Sequence, residues 1–313
     1  MFWFIAIEIY FGSRLFQFRF IVVRVRLRMA VPYTAGATMR LLVFSLVLMS
    51  FHVSALQLRG PWEPGGMIIG QAEPDARVYL GKRRLALSPE GRFVFGLDRD
   101  VIGTVQLKVV RGNEEQVFDY PVAARKYDIQ RVDGVPEGTV NPPPEVLERI
   151  GREAALVAAA RKGVDRREDF LQGFVKPLEG PITGVYGSQR VYNGVPKNPH
   201  YGLDIARPTG TLVQAPAPGI VKLVHPDMYF SGGTLIIDHG YGISSTFIHL
   251  SEILVARGAR VETGQDVARV GASGRATGPH LDWRINWFNV RLDPALALKH
   301  FPGAGASTGS SGQ

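Results

Sequence analysis

Between residues 178 and 293 the sequence never settles into a helical period. Short runs of β-branched and aromatic residues are broken by glycine or proline every few positions, which excludes a helical core for this stretch. A chain punctuated in this way pairs its strands through tight turns and buries apolar residues on sheet faces or inside a barrel. Residues 56–125 repeat the theme on a smaller scale. Arg77–Leu80, Arg92–Phe95 and Val105–Val110 are rich in β-formers, and turn signals at Pro74-Asp75, Ser88–Gly91 and Arg111–Asn113 separate them. This spacing suits a small Ig-like β-sandwich, and no catalytic constellation lies in it.

Asn141-Pro142-Pro143-Pro144 marks a boundary. Glu145–Lys162 is rich in Ala, Leu, Arg and Glu and reads as one helix stopped by Gly163, within a linker over 126–177. The expected architecture is mainly β: an accessory sandwich (56–125), a linker helix (145–162) and a β-rich C-terminal domain (178–293). The Gly/Ala/Ser/Thr tail over 303–313 is expected to be disordered.

The N-terminus belongs to a different category. Met39-Arg40, the apolar run Leu41–Val53 and the small-residue site Val53-Ser54-Ala55 form the n-region, h-region and cleavage site of an export signal. Translation is therefore expected to start at Met39 or Met29, with 1–38 an upstream extension of the gene model. The alternative is a membrane anchor in residues 1–23, which are charged and short for a span of ~20 apolar residues. Export makes the product periplasmic or secreted, with no stable membrane span after signal removal.

Cleavage also changes the charge. The 313-residue chain carries +8. Removing the six arginines and one glutamate of residues 1–55 leaves 30 basic against 27 acidic residues, a net of +3. No nucleic-acid partner is expected from so small an excess. The absence of cysteine excludes disulfides, a thiol nucleophile and Cys-type zinc sites.

Chemistry concentrates in three patterns: His200-x-x-x-Asp204, Phe247-Ile248-His249-Leu250-Ser251, and Gly278-Pro279-His280-Leu281-Asp282. In a strand, even offsets share a face, so His and Asp from two strands could converge on one cation. Zinc accepts imidazole and carboxylate donors, and a catalytic site keeps one position open for water. Each pattern alone is as readily incidental. His225 and His239 are expected at strand ends or on the surface. The segments 214–221 and 258–265 look like hairpins of a biotinyl-type barrel, but no lysine sits at a hairpin tip as a carrier would need.

Taken together, Tyr186-Gly187-Ser188, His200-x-x-x-Asp204, Ala215–Gly219, Ile237–Gly240, His249-Leu250-Ser251, Val261–Gln265 and Gly271–Leu281 resemble the lysostaphin/LytM-type zinc endopeptidases that cleave peptidoglycan. The resemblance covers about 115 residues in order. It implies that His200 and Asp204 ligate zinc and that His249 and His280 flank the reaction as catalytic histidines. The family closes with H-x-H; here the second His, its third ligand, is replaced by Asp282. An aspartate can ligate zinc, and two carboxylates could favour a harder ion such as Mn²⁺. The expected function is an exported metalloendopeptidase cutting the stem-peptide cross-links of peptidoglycan. The alternative is an inactive module that binds peptidoglycan or regulates a cell-wall amidase. Arg190, Asn193 and Arg284 are candidate substrate-binding residues, against the plainer reading of solvated surface side chains. Divisome or cell-wall hydrolase partners follow from the resemblance.

Overall fold

The computed structural model describes residues 56–132, 144–192 and 194–304. The expected export signal and upstream extension (1–55) and nearly all of the expected tail (305–313) lie outside the described residues. Among the described residues no helix is long and apolar enough to cross a membrane.

The fold is mainly β, as expected. In chain order the first strands are β1 (Gln57–Arg59), β2 (Met67–Gln71), β3 (Arg77–Leu80), β4 (Arg83–Arg84) and β5 (Arg92–Gly96). They are followed by β6 (Thr104–Arg111), β7 (Glu114–Pro121) and β8 (Ile129–Val132). Helix α1 (Leu147–Ala160) follows a 3-10 turn at Pro144–Val146. Next come β9 (Ile182–Gly184), β10 (Gln189–Tyr192), β11 (Val195–Pro196), β12 (Leu203–Ala206), β13 (Leu212–Gln214) and β14 (Gly219–Met228). Then follow β15 (Gly232–Gly240), β16 (Ile243–Leu250), β17 (Glu252–Ile253), β18 (Arg260–Val261) and β19 (Asp266–Arg269). The chain continues through β20 (His280–Trp287) and β21 (Val290–Leu292) to helix α2 (Pro294–His300).

The N-terminal strands form two small sheets, β1-β2-β5 and β4-β3-β6-β7. The largest sheet runs β18-β14-β15-β16-β20-β12-β9, with β21 added beside β20. β15 and β16 are buried at every position, as central strands covered on both faces must be. Tyr241 and Gly242 join them with positive φ at both turn positions, the geometry that matches strand twist.

β20 shows how the sheet divides its labour. Leu281, Trp283, Ile285 and Trp287 are at most 3% exposed and enter the main core. That core is continuous with Phe93, Phe95 and Leu97 of the N-terminal region. The alternate residues His280, Asp282, Arg284 and Asn286 face the other way. On that second face α1 packs Val157 and Ala160 against Leu223, Met228 and Ile236.

Two local features depart from the sequence reading. His239, expected at a strand end or on the surface, is a fully buried residue of β15. Its Nδ1 lies 2.7 Å from the Pro218 carbonyl and its Nε2 2.9 Å from Ser245 Oγ, so both ring nitrogens are satisfied without solvent. Helix α2 was not anticipated; Asp293 caps it by accepting from the Ala295 N–H, and Pro294 stands at its first position.

Candidate functional site

Asp204 on β12 and Asp282 on β20 are direct cross-strand partners in antiparallel register. Two carboxylates in that relation repel unless a cation lies between them. His200, in the loop before β12, fills that role. Its Nε2 is 2.9 Å from Asp204 Oδ1 and 3.4 Å from Asp282 Oδ2. Its Nδ1–H donates to the Val185 carbonyl at 3.2 Å. Burial pulls the His200 imidazole down, but Asp204 and Asp282 outweigh it and raise it to about 10.

Glycine makes the room. A Cβ on Gly184 would stand 2.2 Å from Asp204 Oδ2, and one on Gly202 would stand 2.3 Å from Asp282 Oδ1. Neither carboxylate could keep its position beside any other residue. One donor atom from each of His200, Asp204 and Asp282 lies within 4.8 Å of the others. With the imidazole neutral and Nδ1–H held by a carbonyl, Nε2 is the free nitrogen. This donor set and its glycine cradle fit a small divalent cation.

His249 and His280 stand beside this group. Their ring centroids are 4.9 Å apart. His280 Nδ1–H donates to the Gly278 carbonyl and His249 Nδ1–H to the Ser273 carbonyl, each at 2.8 Å. Both are thereby left with Nε2 free in the neutral form. Burial lowers the His249 pKa, which keeps that ring neutral and able to accept a proton. His249 reaches this place through a register shift in the β15–β16 ladder and a backbone φ of 65°. A bulge re-aims a side chain that strict alternation would send to the core, and the left-handed conformation costs about 1–2 kcal/mol.

Arg284 neighbours Asp282 on the same face of β20. Its Nε donates to Asp282 Oδ1 at 2.9 Å and its Nη2 to Oδ2 at 2.5 Å. Burial pushes the Asp282 carboxyl up, yet Arg284 and then His200 hold it well below the usual carboxylate range.

Further along the face lie two arginines the sequence reading missed. Arg161, just past α1, is 7% exposed and donates through Nη2 to Thr246 Oγ1 at 2.8 Å, while its Nε has no partner. Arg291 lies over the Tyr201 ring at 5.5 Å. Burial, followed by repulsion from Arg291 and Arg284, lowers Arg161 to about 9. No periodicity marks Arg161, because its place depends on how α1 docks.

The structure thus brings His200, Asp204, His249, His280, Asp282 and Arg284 together. Arg190 is on β10, its backbone in register with Gln130 of β8; its side chain and all of Asn193 lie outside the described residues.

A sheet face with two paired carboxylates and three carbonyl-anchored histidines defines a class of site, that of the metallopeptidases. Residues 198–294 match the model of peptidase family M23. A crystal structure of a putative M23 peptidase from Pseudomonas aeruginosa is 31% identical and superposes with a TM-score of 0.59. The match covers 76% of this chain and 96% of that one. The chain belongs to the M23 peptidase family. Among curated relatives, the peptidoglycan DD-endopeptidase ShyB of Vibrio cholerae is 40% identical over 130 residues, which is 42% of this chain and 27% of ShyB. The peptidoglycan DD-endopeptidase ShyA of the same organism is 39% identical over 103 residues, 32% of this chain and 23% of ShyA. The matches span about a quarter of the length of these two relatives.

Proposed function

We propose that the protein is an exported zinc endopeptidase that hydrolyses direct peptide cross-links of bacterial peptidoglycan. The observation that carries this reading is the convergence of the His200, Asp204 and Asp282 donors beside the His249–His280 pair. The names of the Vibrio relatives support peptidoglycan as the substrate. His200, Asp204 and Asp282 would hold zinc. When bound, zinc supplies a Lewis acid that polarises the scissile carbonyl and acidifies a water.

The protein's own groups do the rest. His249, neutral and with Nε2 free, accepts the proton of the attacking water and returns it to the leaving amine, and His280, when its Nε2 carries a proton, donates a hydrogen bond to the oxygen on which charge develops. A direct cross-link joins one stem peptide to an acceptor centre that bears a free carboxylate beside the scissile amide. Arg161 and Arg291 make the adjoining floor cationic, which suits that anion.

A second reading has one observation in its favour. Both oxygens of Asp282 are engaged by Arg284, as they would be in a metal-free module that binds peptidoglycan or regulates an amidase.

The test is digestion of purified, cross-linked muropeptide dimers by the zinc-loaded protein, followed by chromatography. Conversion of dimers to monomers that stops on chelation is expected. Intact dimers with zinc bound would sink the endopeptidase reading, and failure to bind zinc at all would favour the module.

A further inference from the structure

We infer that Arg284 is a positioning residue whose guanidinium serves as the fixed counter-charge of Asp282, so that the pair together acts as one electrically neutral third ligand. This rests on the metal-dependent reading above.

Asp282 is 2% exposed, and an unpaired carboxylate at such depth would cost several kcal/mol. Arg284 stands two residues along the same strand face and grips it through two parallel N–H···O bonds. An arginine cannot give up its charge here, so the neutralisation is permanent. The grip also leaves capacity. A carboxylate has about four lone-pair sites and the fork uses two, so Oδ2, which also faces His200 Nε2 at 3.4 Å, can still serve the cleft.

The local charge then balances in an informative way. Two carboxylates and one guanidinium sum to one negative charge. Two imidazoles and one carboxylate, the donor set the family resemblance implies, sum to the same. The exchange of histidine for Asp282 is therefore accompanied, two residues on, by a cation that cancels it. This removes the charge argument for preferring Mn²⁺ at a two-carboxylate site. It also gives Arg284 a partner within the centre, where the sequence reading made it a candidate substrate-binding residue.

The experiment is titration of zinc alone into the metal-free full chain, by calorimetry against a competing chelator, in wild type, Asp282→His and Asp282→His/Arg284→Gln. The single variant leaves Arg284 uncompensated beside a divalent ion, and its zinc affinity should fall at least about tenfold. The double variant should recover to within about threefold of wild type, because the uncompensated charge left by the first change is removed by the second. The inference is overturned if Asp282→His alone binds zinc as tightly as wild type, or if the second change recovers nothing. Should the glutamine double variant not fold, Asp282→His/Arg284→Met puts the same prediction through an apolar partner of similar length. Absence of zinc binding by wild type would instead overturn the metal centre itself, a separate outcome.

Discussion

The two faces of the central sheet use histidine in opposite ways. On the core face, His239 is sealed between Pro218, Ser245 and the edge of Phe174, and burial depresses it to about 4. On the site face, His200 lies between two carboxylates that raise it to about 10 despite burial. The same side chain is a neutral packing element on one side and the cation of a charge cluster on the other. What differs is the partner: a hydrogen bond to the Pro218 carbonyl offsets only part of the desolvation of His239, whereas two carboxylates in contact overturn that of His200.

The division predicts that core-face changes act on stability and site-face changes on chemistry. Trp283→Ala should be the most disruptive. The indole is fully buried and donates to Ser245 Oγ, so its removal should cost about 3–5 kcal/mol in denaturant unfolding. His280→Ala, one strand face over, should lower kcat/KM by about 10²–10⁴-fold while the unfolding midpoint stays near that of wild type. A His280→Ala protein that loses stability as Trp283→Ala does would erase the distinction between the faces.

Gly202→Ala is a finer probe. The new methyl would displace the Asp282 carboxylate and should weaken zinc affinity about tenfold, with little change in secondary structure by circular dichroism.

The pH dependence of the metal-free protein sharpens the contrast further. The raised His200 contributes stability that is fully present below its unfolded value of 6.5 and is lost as pH rises toward 10. The depressed His239 contributes stability that is present above 6.5 and lost as pH falls toward 4. Thermal melting of the chelated protein should therefore decline on both sides of neutrality. His239→Gln should flatten the acid limb and His200→Gln the alkaline one. If both variants altered the same limb, the assignment of charge states to the two faces would fail.

Much of this was legible in the sequence, for a physical reason. The β class follows from glycine punctuation, and the even spacing of His280, Asp282 and Arg284 already places all three on one face. The same spacing could have paired Arg284 with Asp282, but periodicity gives a shared face and not a contact. The buried position of His239 was not legible, because its polar partners come from Pro218 and Ser245, brought close only by pairing. The bulge that turns His249 into the cleft has no composition signal, and α2 was hidden behind a seven-residue length with only Asp293-Pro294 to announce it.

The three cleft histidines share one more property. Each fixes its Nδ1 on a backbone carbonyl, from Val185, Ser273 and Gly278 respectively. Main-chain oxygens survive every side-chain substitution, so no single replacement at these three positions deletes an orienting acceptor. Mutational drift can reach the tautomers of this centre only by moving a loop. The centre's orientation is thus heritable through chain path and not through residue identity, and a scan of side-chain variants would leave this layer of the design unmarked.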